Sequence, residues 1–180
     1  MSMTGLLMPS GRVIRVSAAD ASQIHWPDLA EIAAKTCYFH GLAPGGIVSH
    51  AQLGCLIHDQ LSRQHQIAAL VFGASAVLIR CYDFMIGEDC ERLLDLVCQR
   101  TGDPATMADD WPDEVVAMTR IIATAACHDT LASASPQADA WPRCDDPRPQ
   151  AIPLIAPWPW KTAMAEWLAR AKAAGLTWEG

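Results

Sequence analysis

Residues 67–79 carry no charge, and Ser75 is the only hydroxyl among them. Thirteen apolar or small residues fall short of the about 20 needed to span a bilayer, and Arg63 and Arg80 bracket the run. Apolar side chains all the way round predict a helix buried on every side. Val and Ile in the run would suit a central strand, but Ala68, Ala69, Ala74, Ala76 and the length favour helix. The rest of the chain reads as elements that pack around it.

In chain order, apolar runs on either side of Pro9-Ser10-Gly11 predict a short hairpin over residues 5–16. Pro27 and Asp28 start a helix to about residue 39, with Leu29, Ile32, Ala33 and Cys37 at helical spacing. Residues 41–46 form a loop. Ser49 and Gln52 have capping-box spacing, opening a helix to about Gln64 whose inner face is Leu53, Leu56, Ile57 and Leu61. Gly87 introduces an amphipathic helix through Leu93, Leu94, Leu96 and Val97 that ends near Gly102. Pro112, Asp113 and Glu114 begin a helix to about Leu131. Residues 133–159 hold seven prolines and no helical period, which predicts an arm rather than a second domain. A terminal helix over about 161–175 points Met164, Trp167, Leu168 and Ala171 inward and stops at Gly175.

The sum is a single all-α domain over 1–180: five to six helices, a hairpin within residues 1–20, and a Pro/Trp-rich arm over 133–160. A length of 180 residues with 51 % hydrophobic content suffices for a real core. A net charge of −7 excludes general nucleic-acid or anionic-membrane binding, which needs a basic face. The seven cysteines form no Cys-x-x-Cys pair and fall mostly in apolar helical pattern, where cysteine acts as a small hydrophobe. Their odd number and the lack of an export signal at residues 1–10 predict a reducing, cytoplasmic setting.

Candidate chemistry centres on histidines. His58-Asp59 joins imidazole and carboxylate, donors that suit Mn, Co or Zn, with His50 and His65 at nearby helical positions. The competing reading puts this pair on the solvated side of its helix. His128-Asp129 near a helix end reads as structural, the imidazolium favouring the negative end of the dipole. Trp158-Pro-Trp160 is either a contact surface or a pair of rings packed back on the domain. No Gly-rich phosphate loop, nucleophile elbow or His-Glu-x-x-His is present.

The order of several phrases is familiar: Ser10-Gly-Arg12, then Gln23-Ile-His-Trp-Pro-Asp-Leu-Ala-Glu-Ile-Ala-Ala-Lys-Thr-Cys-Tyr-Phe-His-Gly41, then Ser49-His-Ala-Gln-Leu53, then Ala68-Ala-Leu-Val-Phe-Gly-Ala-Ser75. Together they resemble the HD-domain phosphohydrolases, in particular the phage and bacterial branch related to deoxynucleotidases. The resemblance covers most of the chain and implies an HD-like helical bundle. It also implies where the family's metal site would fall. The first metal histidine falls on Leu53, and the His-Asp pair on Phe72 and Gly73. The following acidic residue falls on Ala76, a second-site aspartate near Cys81, and the last metal aspartate on or beside Met118. The phosphate-side arginine falls on Tyr38. All of these positions are apolar or neutral here. A rival register aligns Cys55-Leu-Ile-His-Asp59 with the His-Asp phrase and would draw on His25 or His40 and Asp83 or Asp109.

In an active relative the metal polarises phosphoryl oxygens and activates water, and carboxylates hold it and handle the proton. Leu, Phe, Gly and Met do neither. Losing one ligand would strand the remaining buried polar groups, whereas replacing all of them lets the cavity become dry core. The resemblance therefore implies a pseudoenzyme without a cofactor, working through a protein partner or homo-oligomer, with neither nucleic acid nor membrane. One alternative is a nucleotide phosphohydrolase with Mn, Co or Zn on relocated ligands from His50, His58, Asp59, His65 and His128. Another is a nucleotide sensor that binds without cleaving.

Overall fold

The computed structural model describes residues 5–36, 48–81, 87–107, 111–131 and 146–178. Strand β1 (Gly5–Leu7) pairs antiparallel with β2 (Val13–Arg15), Leu6 opposite Ile14. Alternation buries Leu6 and Ile14 and leaves Leu7 and Val13 exposed. The connecting turn closes through Met8 N–H to Arg12 O and Gly11 N–H to Met8 O, both 2.8 Å. Gly11 takes φ +83°, a conformation that a side chain disfavours.

Seven α-helices follow among the described residues: α1 (Trp26–Lys35), α2 (His50–His58), α3 (Gln66–Cys81), α4 (Gly87–Thr101), α5 (Pro104–Met107), α6 (Asp113–Ala126) and α7 (Trp160–Ala173). Short 3₁₀ turns occupy Val16–Ala18, Ala21–Gln23 and Arg63–His65, and α6 runs on into a π-helical turn, Cys127–Leu131. The helix count exceeds the expected five to six because Pro104 starts one further turn after Gly102 closes α4. The chain turns there at φ +64°. Helix α1 stops at Lys35, short of the expected residue 39; Cys37 and Tyr38 lie outside the described residues. Helix α2 stops at His58 rather than Gln64, and the chain re-enters helix through the 3₁₀ turn that leads into α3. Of the predicted arm, residues 146–159 are described, and they run without regular helix into α7.

Helices α2 and α3 form the wall between two apolar clusters. Ala51 and Cys55 of α2, with Leu70, Val71 and Ala74 of α3, face a cluster completed by the hairpin, α1, α4 and α7. Leu53 and Ile57 of α2, with Ala69 of α3, face a second cluster completed by α6 and by Ile152 and Ile155 of the arm. A helix with neighbours on both sides needs apolar residues toward each, which accounts for the buried Ala68, Ala69, Leu70, Val71 and Ala74 of α3. The same placement buries α2 almost entirely, so Leu53, Leu56, Ile57 and Leu61 are not its sole inner face. The two helices approach closely. A Cβ on Gly54 would stand 3.4 Å from Leu70 O, and one on Gly73 would stand 3.4 Å from His50 O.

The larger cluster is centred on two fully buried tryptophans, Trp26 and Trp167, whose rings lie 6.3 Å apart and tilted. The Trp167 indole donates to Leu70 O at 3.2 Å, using a backbone carbonyl because α3 offers no polar side chain there. No helix is long and apolar enough to cross a membrane among the described residues.

Candidate functional site

Of the positions to which the resemblance assigns a metal site, Leu53 of α2 and Met118 of α6 lie at the α2–α3–α6 junction, around the second cluster. Leu53 is fully buried in the second cluster, and the partly buried Met118 of α6 packs against that same cluster. The structure thus brings these two sequence-distant positions together in an apolar setting. Phe72, one helical position before Gly73, stacks edge-to-face on Trp111 with ring centroids 5.1 Å apart. Gly73 faces the His50 carbonyl at the start of α2. Ala76 and Cys81 lie in α3, but their side chains are outside the described residues, as is Tyr38.

The histidines of the alternative site are dispersed and engaged. His50, in the first turn of α2, is buried with 2 % exposure. His58 closes α2 and is also buried, contrary to the reading that put it on a solvated face. Its Nδ1 lies 2.9 Å from Asp59 Oδ1. Asp59 accepts two hydrogen bonds from Arg170 of α7, Nε to Oδ1 at 2.8 Å and one Nη to Oδ2 at 2.7 Å. Arg170 also pairs with Glu166 at 2.6 Å. The Arg170 guanidinium holds the Asp59 carboxyl below the usual carboxylate range, with His58 adding to the effect. In turn Asp59 raises Arg170. A carboxylate already gripped by a guanidinium is a poor partner for a second cation.

His65 Nε2 lies 2.9 Å from Glu114 Oε2, joining the approach to α3 to the first turn of α6. His128 Nε2 donates to Asp146 O at 2.7 Å. In the rival register His25 would be a ligand; instead its Nδ1 lies 3.4 Å from Asp28 Oδ2. Asp83 and Asp109 are outside the described residues. Among the described residues no group of three or more His, Cys, Asp or Glu side chains could hold a metal ion.

The most elaborate polar arrangement fastens the arm, and only half of its members stood out in the sequence. Asp129, beside His128 on the π turn, accepts from Arg148 Nε at 2.7 Å and a second Arg148 nitrogen at 2.8 Å, and from Ile155 N–H at 2.8 Å. Those bonds, the Arg148 pair foremost, hold the Asp129 carboxyl below its ordinary range. Arg148 donates further to Pro149 O, Ile152 O and Pro153 O, so one guanidinium fixes the course of a segment whose prolines have no N–H to donate. The structural reading of His128-Asp129 is thereby given a specific content.

Gln52 provides the second anchor. Its amide donates to Ala156 O at 2.8 Å and accepts from Trp158 N–H at 2.9 Å, with 1 % of the residue exposed. Half of the expected capping box forms, Gln52 N–H to Ser49 Oγ at 3.2 Å. The glutamine side chain serves the arm instead of reaching back to residue 49. Beyond this clamp Trp158 packs on the larger core cluster. Trp160 stays 39 % exposed, with Lys35 Nζ 4.5 Å from its ring centroid.

Of the described cysteines, Cys55 and Cys98 are free and buried, and burial pushes their thiols up to about 12 and about 11. Cys127 is disulfide-bonded, which departs from the expectation that the cysteines act only as small reduced hydrophobes. No known protein family and no curated protein matches the sequence.

Proposed function

We propose that the chain is a non-catalytic protein of the HD-phosphohydrolase type that acts by binding, as a regulatory or structural partner of another protein or of a second copy of itself. The observation that carries the reading is the meeting of Leu53 and Met118 in one apolar cluster. These are two positions at which the resemblance calls for metal ligands, and their environment is an apolar cluster, with Leu53 fully buried and Met118 packed against it. The engagement of Asp59 by Arg170, and of His65 by Glu114, supports it against the relocated-ligand alternative.

The direct test is metal analysis of the purified protein together with assays on deoxynucleoside monophosphates. The expected result is no stoichiometric Mn, Co, Zn or Fe and no hydrolysis above the uncatalysed background. Retained metal with turnover would overturn the proposal. The register has its own test in the combined variant Leu53→His, Phe72→His, Gly73→Asp, Met118→Asp. Placing imidazole and carboxylates in the apolar cluster costs several kcal/mol without a cation, so the variant should be markedly destabilised. Added Mn or Co should then raise its melting temperature while leaving the parent unchanged.

A further inference from the structure

A pocket of about 490 Å³ opens between four stretches that are remote in sequence, and it shares no residue with the α2–α3–α6 junction. Arg12 enters it from the hairpin turn, Ser22, Ile24 and His25 from the segment before α1, Arg100 from the end of α4, and Thr177 and Trp178 from the segment after α7. In size it falls within the range of small-molecule sites.

Two guanidiniums converge on it in a protein whose net charge is −7. Among the described residues neither Arg12 nor Arg100 enters an ion pair. Arg100 Nε is buried and has no hydrogen-bond partner. A buried guanidinium N–H without an acceptor is costly, and such groups are rare unless a ligand or water completes them.

Two carboxylates on the segments that line the pocket have other partners. Asp28 accepts from Ser10 N–H and Ser10 Oγ, each at 2.8 Å, and lies 3.4 Å from His25 Nδ1. Asp20 accepts from the backbone and hydroxyl of Ser22, which hold its carboxyl below the ordinary range. Neither pairs with Arg12 or Arg100. Thr177 adds a hydroxyl, and the partly buried Trp178 adds an indole that is packed on the core from behind.

We infer that this pocket binds a small organic oxyanion, its phosphate or carboxylate head on Arg12 and Arg100 and a flat apolar body against Trp178. Guanidiniums match both heads through paired N–H donors, and an indole favours a planar apolar group. The inference stands apart from the HD reading, because none of these residues belongs to the family's metal positions.

Calorimetric titration of the full chain with phenyl phosphate, benzoate, inorganic phosphate and benzyl alcohol tests it. Phenyl phosphate should bind more tightly than inorganic phosphate, benzyl alcohol should not bind, and the comparison with benzoate distinguishes a phosphate from a carboxylate head. Arg12→Met and Arg100→Met should each weaken phenyl phosphate by about tenfold or more, the effect of removing a charged hydrogen bond. Trp178→Leu should weaken phenyl phosphate and leave inorganic phosphate unchanged. Arg12 is exposed, so Arg12→Met decides the matter if Arg100→Met fails to fold. Absence of binding by all three anions at millimolar concentration, or binding unaltered in Arg12→Met, would overturn the inference.

Discussion

Single side chains settle how this fold holds its irregular part. Gln52 satisfies two backbone groups of the arm at once, and both lose their partner if the amide is replaced by a similar apolar volume. Gln52→Leu should therefore destabilise the protein by about 1–2 kcal/mol in urea unfolding, less than the full cost of about 1–3 kcal/mol for each buried unpaired group, because both bonds are only part-buried and Ala156 is exposed. Proteolysis should then nick residues 146–159 first. Asp129→Ala removes the acceptor for Arg148 and for Ile155 N–H. The expected loss is about 2–3 kcal/mol, less than for a wholly buried pair, because Arg148 keeps 23 % of its side-chain surface exposed. The depressed carboxyls of Asp59 and Asp129 fix the sign of the pH dependence. Their stabilisation is complete above the unfolded carboxylate value of about 4 and is lost as pH falls through the lower folded values. An acid titration of stability should show this loss below about pH 4, and Asp129→Asn should reduce it. The raised thiols of Cys55 and Cys98 predict that iodoacetamide at pH 8 labels neither until denaturant is added, as mass spectrometry of the digested protein would reveal.

Among the elements, the α2–α3 pair governs the architecture, and its close contact depends on small residues. At Gly54 an added methyl would meet backbone atoms of Leu70 and Ala69 at 3.4–3.5 Å, ordinary van der Waals range. Alanine also favours helix over glycine by about 1 kcal/mol. Gly54→Ala should accordingly be neutral or stabilising by up to about 1 kcal/mol, and Gly54→Leu should push the helices apart and cost more than about 2 kcal/mol, both measurable by thermal or urea unfolding. At α2 the boundary prediction failed for a physical reason. Leu61 continues the apolar pattern, but after Asp59 the backbone tightens, Gln60 N–H bonding Ile57 O at 3.0 Å and Leu61 N–H bonding His58 O at 3.3 Å, and the chain leaves the α-helix to reach α3. The apolar pattern alone does not reveal where the last turn tightens.

Over the whole molecule, the two clusters and the arm form a mainly helical domain in which segments more than 100 residues apart are joined by specific bonds. Gln52 reaches Ala156 and Trp158, and Asp59 reaches Arg170. The arm supplies Ile152 and Ile155 to the cluster that holds Leu53 and Met118, so the apolar junction and the arm are expected to be stable together or not at all. Removing the Asp129–Arg148 pair should loosen amide protection around Leu53 as well as in the arm. Hydrogen exchange would show both effects, and a change confined to the arm would mean that the two are independent.

Much of the architecture was legible from local signals. Alternation around Pro9-Ser10-Gly11 specified the hairpin, helical periodicity and caps placed α4, α6 and α7, and the uncharged run of residues 67–79 identified α3, which is buried at Ala68, Ala69, Leu70, Val71 and Ala74. Such signals act over a few residues, because side-chain periods and end groups are properties of one element. Only the tertiary structure decided what the isolated polar residues do. It turned Gln52 from half a capping box into a clamp, buried His58, made Arg148 the organiser of the arm, and left Arg12 and Arg100 facing one pocket. Each of these depends on which distant segments the packing of helices brings within hydrogen-bond reach. The apolar replacements at Leu53, Phe72, Gly73 and Met118 were visible in the sequence. That Leu53 and Met118 meet in one cluster was not, because no local pattern links α2 to α6.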